Sequence, residues 1–259
     1  MRRANAWVWD LDDTIKLTVH DYAEPILDAC RLIIRTLKGS APHVTSVINL
    51  ENEVDKRRVE EINPSTGKQF KWTMERFPGS LVETYRILCL KAGKEPQTAI
   101  EQELYEIGLQ AFDPSHYKED IFPDAISVLE FLKSKGDQIL LLTKGDKKIQ
   151  GPKFAVLDAG KRFARVRVVA DKTPEIFCEM ARGFGGYRLF SVGDNYDSDI
   201  APALKAGYCQ GIWIPLVETW DTVGRIAEIR ARVDWSRCIE LRLLRELVER
   251  YDEITRGAQ

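Results

Sequence analysis

Two carboxylates stand two residues apart directly after the first apolar run of this sequence. Asp10 and Asp12 follow Ala6 to Trp9, a run that is short and apolar enough for a buried strand. In an extended chain, residues i and i+2 point to the same side, so both carboxyl groups face out of the strand end. One carboxylate can then attack an electrophile while the other moves a proton. An aspartate pair is also common in a capped turn without catalytic function. The residues that follow the other predicted strands are needed to distinguish these two interpretations.

Polar side chains also follow three later apolar runs. They are Thr143 after Ile139 to Leu142, Lys172 just beyond Val166 to Ala170, and Asp194 after Leu189 to Val192. The carboxyl ends of parallel strands meet at one edge of an open α/β sheet, where the ligands of such sheets bind. The sequence therefore predicts one site that is built from four strand ends.

Segments with helical spacing alternate with these runs. The expected helices are Ala125 to Lys133 with Asp124 as its cap, Lys147 to Leu157, Pro174 to Arg182 and Ser198 to Lys205, and a fifth apolar run, Gly211 to Ile214, follows them. Alternation of strand and helix is typical of a doubly wound parallel sheet. We therefore predict an α/β protein with a Rossmann-like core.

A long segment without a comparable strand run separates the first strand from the second. Its spacing predicts helices over Glu24 to Leu37, Leu50 to Ile62, Leu81 to Leu90 and Pro96 to Ala111. We predict an α-helical cap over residues 19–121, inserted between core segments 1–18 and 122–220.

Residues 221–259 are predicted to form a helical extension that packs on the core. Its apolar positions Leu241, Leu244, Leu247, Val248 and Tyr251 fall on one helical face. Such a face docks on the core of its own chain or on a neighbouring subunit.

Four motifs occur along the chain in a fixed order. They are Asp10-Leu11-Asp12-Asp13-Thr14, the strand end Leu140-Leu141-Leu142-Thr143, a lone Lys172, and Gly193-Asp194 followed by Asp199. In this order they resemble the haloacid dehalogenase-like (HAD) hydrolase superfamily. The first and second motifs are far apart in the sequence, whereas the second and third are close together. The insertion therefore lies between the first two motifs and resembles the helical cap that members carry after the first strand. Lys144 and Lys161 are nearby alternatives for the third motif.

The resemblance implies a phosphatase that works through an aspartyl-phosphate. Asp10 would be the nucleophile, and Asp12 would protonate the leaving oxygen and later take a proton from water. Thr143, Lys144 and Lys172 would bind the phosphoryl group, with Thr143 and Lys172 also counted as catalytic.

The resemblance also implies Mg²⁺ as the cofactor, because an all-oxygen site suits that ion. Asp10, Asp194 and the backbone carbonyl of Asp12 would be ligands. Asp199 completes the acidic set and would orient the metal shell or Lys172 rather than ligate directly.

Three other functions are compatible with this pattern. A phosphomutase shares all four motifs and differs in which acceptor reaches the aspartyl-phosphate. A 2-haloacid dehalogenase also uses the first aspartate, but a halide leaving group needs no acid, so Asp12 argues against it. A non-catalytic binding protein of the same fold would be expected to have lost a carboxylate. The leaving group itself is not defined by the motifs, and Arg76, Lys144 and His20 are candidates for contacts with it.

Composition limits the partners and the compartment. The chain has 259 residues, and 38 Lys and Arg against 40 Asp and Glu give a net charge of −2, so no overall basic field would collect nucleic acid or an anionic membrane. Five cysteines without a C-x-x-C pair indicate reduced thiols, and no apolar run approaches the length that spans a bilayer. We therefore expect a cytoplasmic monomer or homodimer that acts on a small-molecule phosphate ester, with neither nucleic acid nor a membrane as its partner.

Overall fold

The computed structural model describes residues 4–216 and 224–257. Within these ranges, six parallel strands form one sheet in the order β5-β4-β1-β6-β7-β8, and two further strands form a short antiparallel hairpin. The strands are β1 (Asn5–Trp9), β2 (Ile62–Asn63), β3 (Lys68–Gln69), β4 (Gln138–Lys144), β5 (Arg165–Val169), β6 (Arg188–Gly193), β7 (Gln210–Trp213) and β8 (Cys238–Glu240).

Helices connect the strands of the sheet and make up most of the segment between β1 and β4. In the described ranges the α-helices are α1 (Ala23–Leu37), α2 (Val44–Arg58), α3 (Arg76–Lys91), α4 (Thr98–Leu109), α5 (Ala125–Ser134), α6 (Lys147–Val156), α7 (Ala159–Arg162), α8 (Pro174–Met180), α9 (Ala201–Lys205), α10 (Ile226–Ala231), α11 (Arg245–Glu249) and α12 (Tyr251–Gly257). None of the helices in this part of the chain combines the length and the apolar character that crossing a bilayer would need.

The side chains of β1 alternate between two hydrophobic cores, because successive residues of a strand point to opposite faces. Trp7 and Trp9 belong to a buried cluster with α5, α11 and α12, whereas Ala6 and Val8 belong to a cluster with α8. Helices therefore cover both faces of the sheet, as a parallel sheet requires. The predicted α/β class with a Rossmann-like core is confirmed.

The five predicted strand runs correspond to β1, β4, β5, β6 and β7, each shifted by at most two residues at an end. Central β1 lies between β4 and β6, with Trp9 opposite Leu141 on one side and Val192 on the other. The residues that follow these three strands are therefore brought to the same edge of the sheet.

The predicted helix over 50–62 is wrong at both ends, because α2 covers Val44–Arg58. The helix begins earlier because the side chain of His43 accepts a hydrogen bond from the Thr45 amide, at 3.3 Å, and so caps the first turn. It ends before Ile62, which is paired in the β2–β3 hairpin.

The predicted helix over 198–205 is also divided. A π-helical turn covers Tyr196–Ile200, and α9 begins only at Ala201. Pro202 in the first turn of α9 has no amide hydrogen to continue a regular helix from the preceding turn. At α5, Asp124 occupies the predicted cap position, but its side chain accepts no capping hydrogen bond.

The C-terminal segment does not form the single helix that its apolar spacing predicts. It contributes β8 at the edge of the sheet and then the two short helices α11 and α12. Leu241, Leu244, Leu247 and Tyr251 are nevertheless buried in the same cluster as Trp7. The predicted boundary between residues 220 and 221 lies outside the described residues.

The chain forms two compact units. Apart from the residues that are not described, one comprises Met1–Val19, His116–Lys144 and Gly151–Gln259, and the other comprises His20–Ser115 and Gly145–Gln150. The first contains the sheet. The second has its own hydrophobic core, which is built from helices α1 to α4. All five cysteines of the chain are free thiols.

A buried carboxylate joins the C-terminal helix to the central strand. The Asp137 carboxylate accepts hydrogen bonds from Asn5 Nδ2 at 3.0 Å, Trp7 Nε1 at 2.8 Å and the Tyr251 hydroxyl at 2.8 Å. Three buried donors from two elements therefore share one acceptor group.

We expect Asp137→Ala to lower the free energy of unfolding by about 3 kcal/mol, because it leaves buried donors without their acceptor. Urea denaturation measures this change. Asp124→Ala is the matched control, since the Asp124 side chain makes no capping bond, and we expect less than about 0.5 kcal/mol there. Equal effects of the two substitutions would contradict the role given to Asp137.

The helical unit contains a buried group of charged residues between α2 and α3. Arg76 forms a salt bridge with Asp55, and Ser80 Oγ donates to Asp55 Oδ1 at 2.9 Å. Arg76, a candidate for substrate contacts on sequence grounds, is thus engaged in this ion pair. Burial, with a further contribution from the Asp55 charge, raises the pKa of Glu51 to about 8.

This shift predicts a pH-dependent stability. The pKa of Glu51 is about 8 in the folded state against an ordinary value of 4.5, so its contribution to stability is fully present below the lower value and is lost as pH rises through the higher one. We expect Glu51→Gln to match the wild type near pH 5 and to exceed its free energy of unfolding by about 3 kcal/mol near pH 8. Urea denaturation at both pH values measures the difference.

Glu53→Gln is the matched control for that experiment. Glu53 lies on the same helix but is exposed, so we expect its variant to follow the pH dependence of the wild type. If the Glu51 and Glu53 variants shared one pH dependence, the burial argument would be wrong.

Candidate active site

A tight turn after β1 positions the first pair of aspartates. The Asp10 amide donates to the Val192 carbonyl at 2.9 Å and so extends the pairing of β1 with β6 by one residue. The chain then turns, with the Ile15 amide bonded to the Leu11 carbonyl at 2.9 Å. Leu11 and Ile15 are fully buried and anchor this turn in the core. The backbone between them is therefore fixed relative to the sheet.

Asp13 stabilises the same turn from within. Its φ of 59° lies in the left-handed region, which aspartate tolerates better than most residues. Its carboxylate accepts hydrogen bonds from the amides of Thr18 at 2.7 Å and Val19 at 3.1 Å. The Asp13 side chain therefore ties the start of the turn to residues 18 and 19 at its end.

Lys172 joins the first strand end to the fourth. Its Nζ lies 2.5 Å from Asp10 Oδ1 and 2.6 Å from Asp199 Oδ1, and the three side chains are buried. Burial by itself would lower the pKa of Lys172, but the charges of Asp10 and Asp199 raise it above its usual value. The lysine is therefore a permanent cation between the two carboxylates.

The surroundings of Asp10 raise the pKa of its carboxyl group. Burial raises its pKa to about 7, Lys172 acts in the opposite direction, and the charges of Asp199 and Asp12 raise it further. Additional positive charge at this place would favour the ionised carboxylate that a nucleophile requires.

Asp194 is fixed by its side chain and by its backbone. The Thr14 hydroxyl donates to Asp194 Oδ1 at 3.3 Å and accepts from the Asp194 amide at 3.0 Å. The Trp213 indole donates to the Asp194 carbonyl at 2.7 Å. Burial, together with the charges of Asp199 and Asp10, raises the pKa of Asp194 well above its usual value.

Gly193 allows the two aspartates of the fourth strand end to approach each other. A Cβ atom at this position would lie 2.4 Å from Asp199 Cβ, a distance that no side chain tolerates. The glycine of the Gly193-Asp194 motif is thus required by packing.

Three carboxylates converge closely enough to share one cation. One oxygen each of Asp10, Asp194 and Asp199 lies within 4.8 Å of the other two, and all three residues are buried. Oxygen donors alone suit Mg²⁺, and the raised pKa values of Asp10 and Asp194 show that positive charge would stabilise this set. The residues present therefore fit the ion.

Within this set, Asp199 is the residue best suited to orienting the others. Its Oδ1 accepts from Lys172 and its Oδ2 accepts from the Asn195 amide at 3.0 Å. Asp10 and Asp194 are the stronger candidates for direct ligands, as the sequence analysis predicts.

Asp12 has different partners from Asp10. Its Oδ1 accepts hydrogen bonds from the Thr18 hydroxyl at 2.8 Å and from Lys153 Nζ at 2.6 Å. Its side chain does not belong to the group of three converging carboxylates found among the described residues. The predicted role of Asp12 in metal binding, which runs through its backbone carbonyl, stays a prediction.

Thr143 and Lys144 end the strand beside β1. Thr143 is buried and its hydroxyl donates to the Lys144 carbonyl at 3.1 Å, whereas Lys144 is half-buried. Their predicted contacts with a phosphoryl group stay predictions. For the third motif, the contacts of Lys172 with Asp10 and Asp199 favour it over the alternatives Lys144 and Lys161, since the Lys161 side chain pairs with Asp158.

Two residues of the site were missed by the sequence analysis. Lysine is a residue type that usually faces solvent, and no spacing in the sequence links Lys153 to Asp12. Thr18 lies at the end of the turn after β1, and only its spacing from Asp12 could have indicated a contact.

We expect Asp194→Asn to weaken Mg²⁺ binding at least about tenfold, because it removes one negative charge from the candidate ligand set. Isothermal titration calorimetry measures the affinity. Asp197→Asn is the matched control: Asp197 lies three residues away but is exposed and pairs with Arg232. Equal affinities of the wild type and both variants would exclude Asp194 as a ligand.

No family model and no curated protein matches this chain. Solved structures do match. A haloacid dehalogenase-like family hydrolase from Xanthomonas campestris has a TM-score of 0.70 at 17% identity, with 100% of this chain and 99% of that chain covered.

Two further structures match at lower scores. The HAD-hydrolase YfnB from Bacillus subtilis, described as putative in function and bound to magnesium, has a TM-score of 0.57 at 16% identity, covering 97% and 99% of the two chains. A HAD phosphatase from Thermococcus onnurineus has a TM-score of 0.55 at 17% identity, covering 95% and 96%. A 2-haloacid dehalogenase matches as well, at a TM-score of 0.53 and 21% identity. At these identities the likeness concerns the fold, and this chain has the fold of the haloacid dehalogenase-like hydrolases.

Proposed function

We propose that this chain is a hydrolase, and specifically a Mg²⁺-dependent phosphatase that acts on a small-molecule phosphate monoester through an aspartyl-phosphate. The observation that carries the proposal is the presence of two carboxylates in one turn with different partners. Asp10 is paired with the cation Lys172, and Asp12 is bonded to Thr18 and Lys153. Two carboxylates in different environments suit two chemical roles.

In the first step, a carboxylate oxygen of Asp10 attacks phosphorus and the bond from phosphorus to the leaving oxygen breaks. Asp12 gives its proton to the leaving oxygen, which departs as an alcohol. Lys172 neutralises part of the charge that would otherwise repel Asp10 from the phosphate. Asp10 then carries the phosphoryl group as a mixed anhydride.

In the second step, Asp12 takes a proton from water, and the water oxygen attacks the same phosphorus atom. The bond from phosphorus to Asp10 breaks, which releases inorganic phosphate and restores the carboxylate. Mg²⁺, held by Asp10 and Asp194, would supply positive charge against the phosphoryl oxygens. Thr143 and Lys144 are proposed to hold those oxygens from the neighbouring strand end.

The second candidate function is 2-haloacid dehalogenation, because a 2-haloacid dehalogenase is among the structures of similar fold. It would also use Asp10 as a nucleophile, but a halide leaves as an anion and requires no proton. The bonds that hold the Asp12 carboxyl group to Thr18 and Lys153 would then have no use in the first step, and this favours the phosphatase. A phosphomutase would keep all the roles above and replace the attacking water by a second substrate hydroxyl.

The remaining parts of the proposal concern partners and location. We propose a small anionic ester as the substrate, with no nucleic acid or membrane partner, in a cytoplasmic monomer or homodimer. The net charge of −2 and the five free thiols support it.

We expect the wild type to hydrolyse a generic aryl phosphate only when Mg²⁺ is present, and Asp10→Asn to lower kcat by about a thousandfold or more, since the nucleophile is lost. Release of inorganic phosphate measures turnover, and circular dichroism shows whether the variant is folded. Asp197→Asn serves again as the exposed control, with unchanged turnover expected.

The same assay separates the alternatives. Halide release from a 2-haloacid, without phosphate release from the ester, would overturn the phosphatase in favour of the dehalogenase. Turnover that needs an added sugar bisphosphate would indicate the mutase. Folded protein that neither turns over any of these compounds nor binds Mg²⁺ would favour a non-catalytic binding protein.

A further inference from the structure

Lys153 is a buried lysine in a helix whose other lysines are exposed. Lys147 and Lys148 at the start of α6 face solvent, whereas Lys153 is 2% exposed. A buried ammonium group is costly unless a charged or strongly polar partner offsets the loss of hydration. The position therefore requires a specific partner.

That partner is the carboxyl group that the proposed mechanism uses for proton transfer. Lys153 Nζ lies 2.6 Å from Asp12 Oδ1, and the Thr18 hydroxyl donates to the same oxygen at 2.8 Å. The two donors come from different parts of the fold, one from α6 and one from the end of the turn after β1. A carboxyl group held from two directions cannot rotate without breaking a charge-assisted hydrogen bond.

An aromatic ring lies beside the lysine. The Tyr117 ring centroid is 5.7 Å from Lys153 Nζ and 4.6 Å from Lys16 Nζ, and both the ring and Lys16 are buried. Lys16 is in turn bonded to the Leu17 carbonyl at 3.1 Å. The cation of Lys153 is thus packed in a fixed place, as precise orientation of a second group requires.

We propose that Lys153 is a positioning residue for Asp12, holding its carboxyl group in the orientation in which it exchanges a proton with the leaving oxygen and with the attacking water. This inference rests on the proposed phosphatase function. Lys153 acts through Asp12 and has no role of its own on the substrate. The alternative is that Lys153 only ties α6 to the turn after β1.

The two roles differ in how they depend on the leaving group. A nitrophenolate departs readily without a proton, whereas an unsubstituted phenolate benefits from one. Loss of correct positioning at Asp12 should therefore affect phenyl phosphate more than nitrophenyl phosphate. A structural role would lower both rates by the same factor.

The test compares Lys153→Met and Lys153→Arg on these two esters, in the wild-type background and combined with Asp12→Ala. For Lys153→Met we expect a loss of about tenfold to a hundredfold in kcat/KM on phenyl phosphate and a clearly smaller loss on nitrophenyl phosphate. Lys153→Arg keeps a cationic donor and should restore part of the loss. In the Asp12→Ala background, Lys153→Met should cause no further loss on nitrophenyl phosphate, because the group it positions is absent.

Arg188→Met is the control for a general loss of stability. Arg188 is a half-buried cation at the opposite end of the sheet, where it bonds to Asn5 Oδ1 at 2.8 Å and to the Thr255 carbonyl. We expect it to lower the melting temperature without changing the ratio of the rates on the two esters. Thermal melts of every variant identify those that do not fold, and Lys153→Gln replaces Lys153→Met if the latter is one of them.

Each outcome decides the inference. Equal losses on both esters, or an undiminished loss in the Asp12→Ala background, would make Lys153 structural and leave the phosphatase proposal intact. A wild type that is inactive on every aryl phosphate would overturn the phosphatase proposal and this inference with it. A leaving-group-dependent loss that vanishes without Asp12 establishes the positioning role.

Discussion

The buried ammonium of Lys172 makes it possible for several carboxylates to share one edge of the sheet. Two carboxylates brought together in a medium of low polarity repel each other strongly, and each also loses its hydration. The ammonium group within 2.6 Å of both Asp10 and Asp199 offsets part of this cost. It does not offset all of it, since the pKa of Asp10 is still raised to about 7. Further positive charge at this place would therefore stabilise the ionised carboxylates.

The carboxylates at this edge outnumber the cations that pair with them. Asp10, Asp12, Asp194 and Asp199 are accompanied by the ammonium groups of Lys172 and Lys153. A bound cation would offset part of this excess of negative charge. A phosphate monoester adds negative charge again, so the cation and Lys172 would have to act on substrate and nucleophile together.

The sequence predicted those parts of the structure that follow from local pattern. Buried strands appear as short apolar runs, and the catalytic candidates appear at their carboxyl ends, so the sheet and the positions of Asp10, Lys172 and Asp194 could be inferred together. β8 was not predicted, because it has only three residues and lies at the edge of the sheet in a charge-rich segment. Its pairing with β7 depends on tertiary contacts that periodicity does not reveal.

Within the site, Lys153 is likewise a residue whose position a local sequence pattern does not predict. Its partner Asp12 is far away in the sequence, and a lysine usually faces solvent. Only the three-dimensional structure shows the ion pair. The motif residues, by contrast, were predictable because each is tied to the end of a recognisable strand.

The turn after β1 places Asp10 and Asp12 in different environments, and these environments suit the two carboxylates to different chemical roles. Two residues apart in the chain, they would be interchangeable carboxylates in water. In the fold, Asp10 faces Lys172 and converges with Asp194 and Asp199, whereas Asp12 is bonded to Thr18 and Lys153. The group beside the candidate cation site is the one whose ionised form a cation would favour, and this suits a nucleophile. The Asp12 carboxyl group, held by two donors, can exchange a proton without competing for the cation. This division of roles between two carboxylates distinguishes ester hydrolysis from the displacement of a halide, which needs no proton.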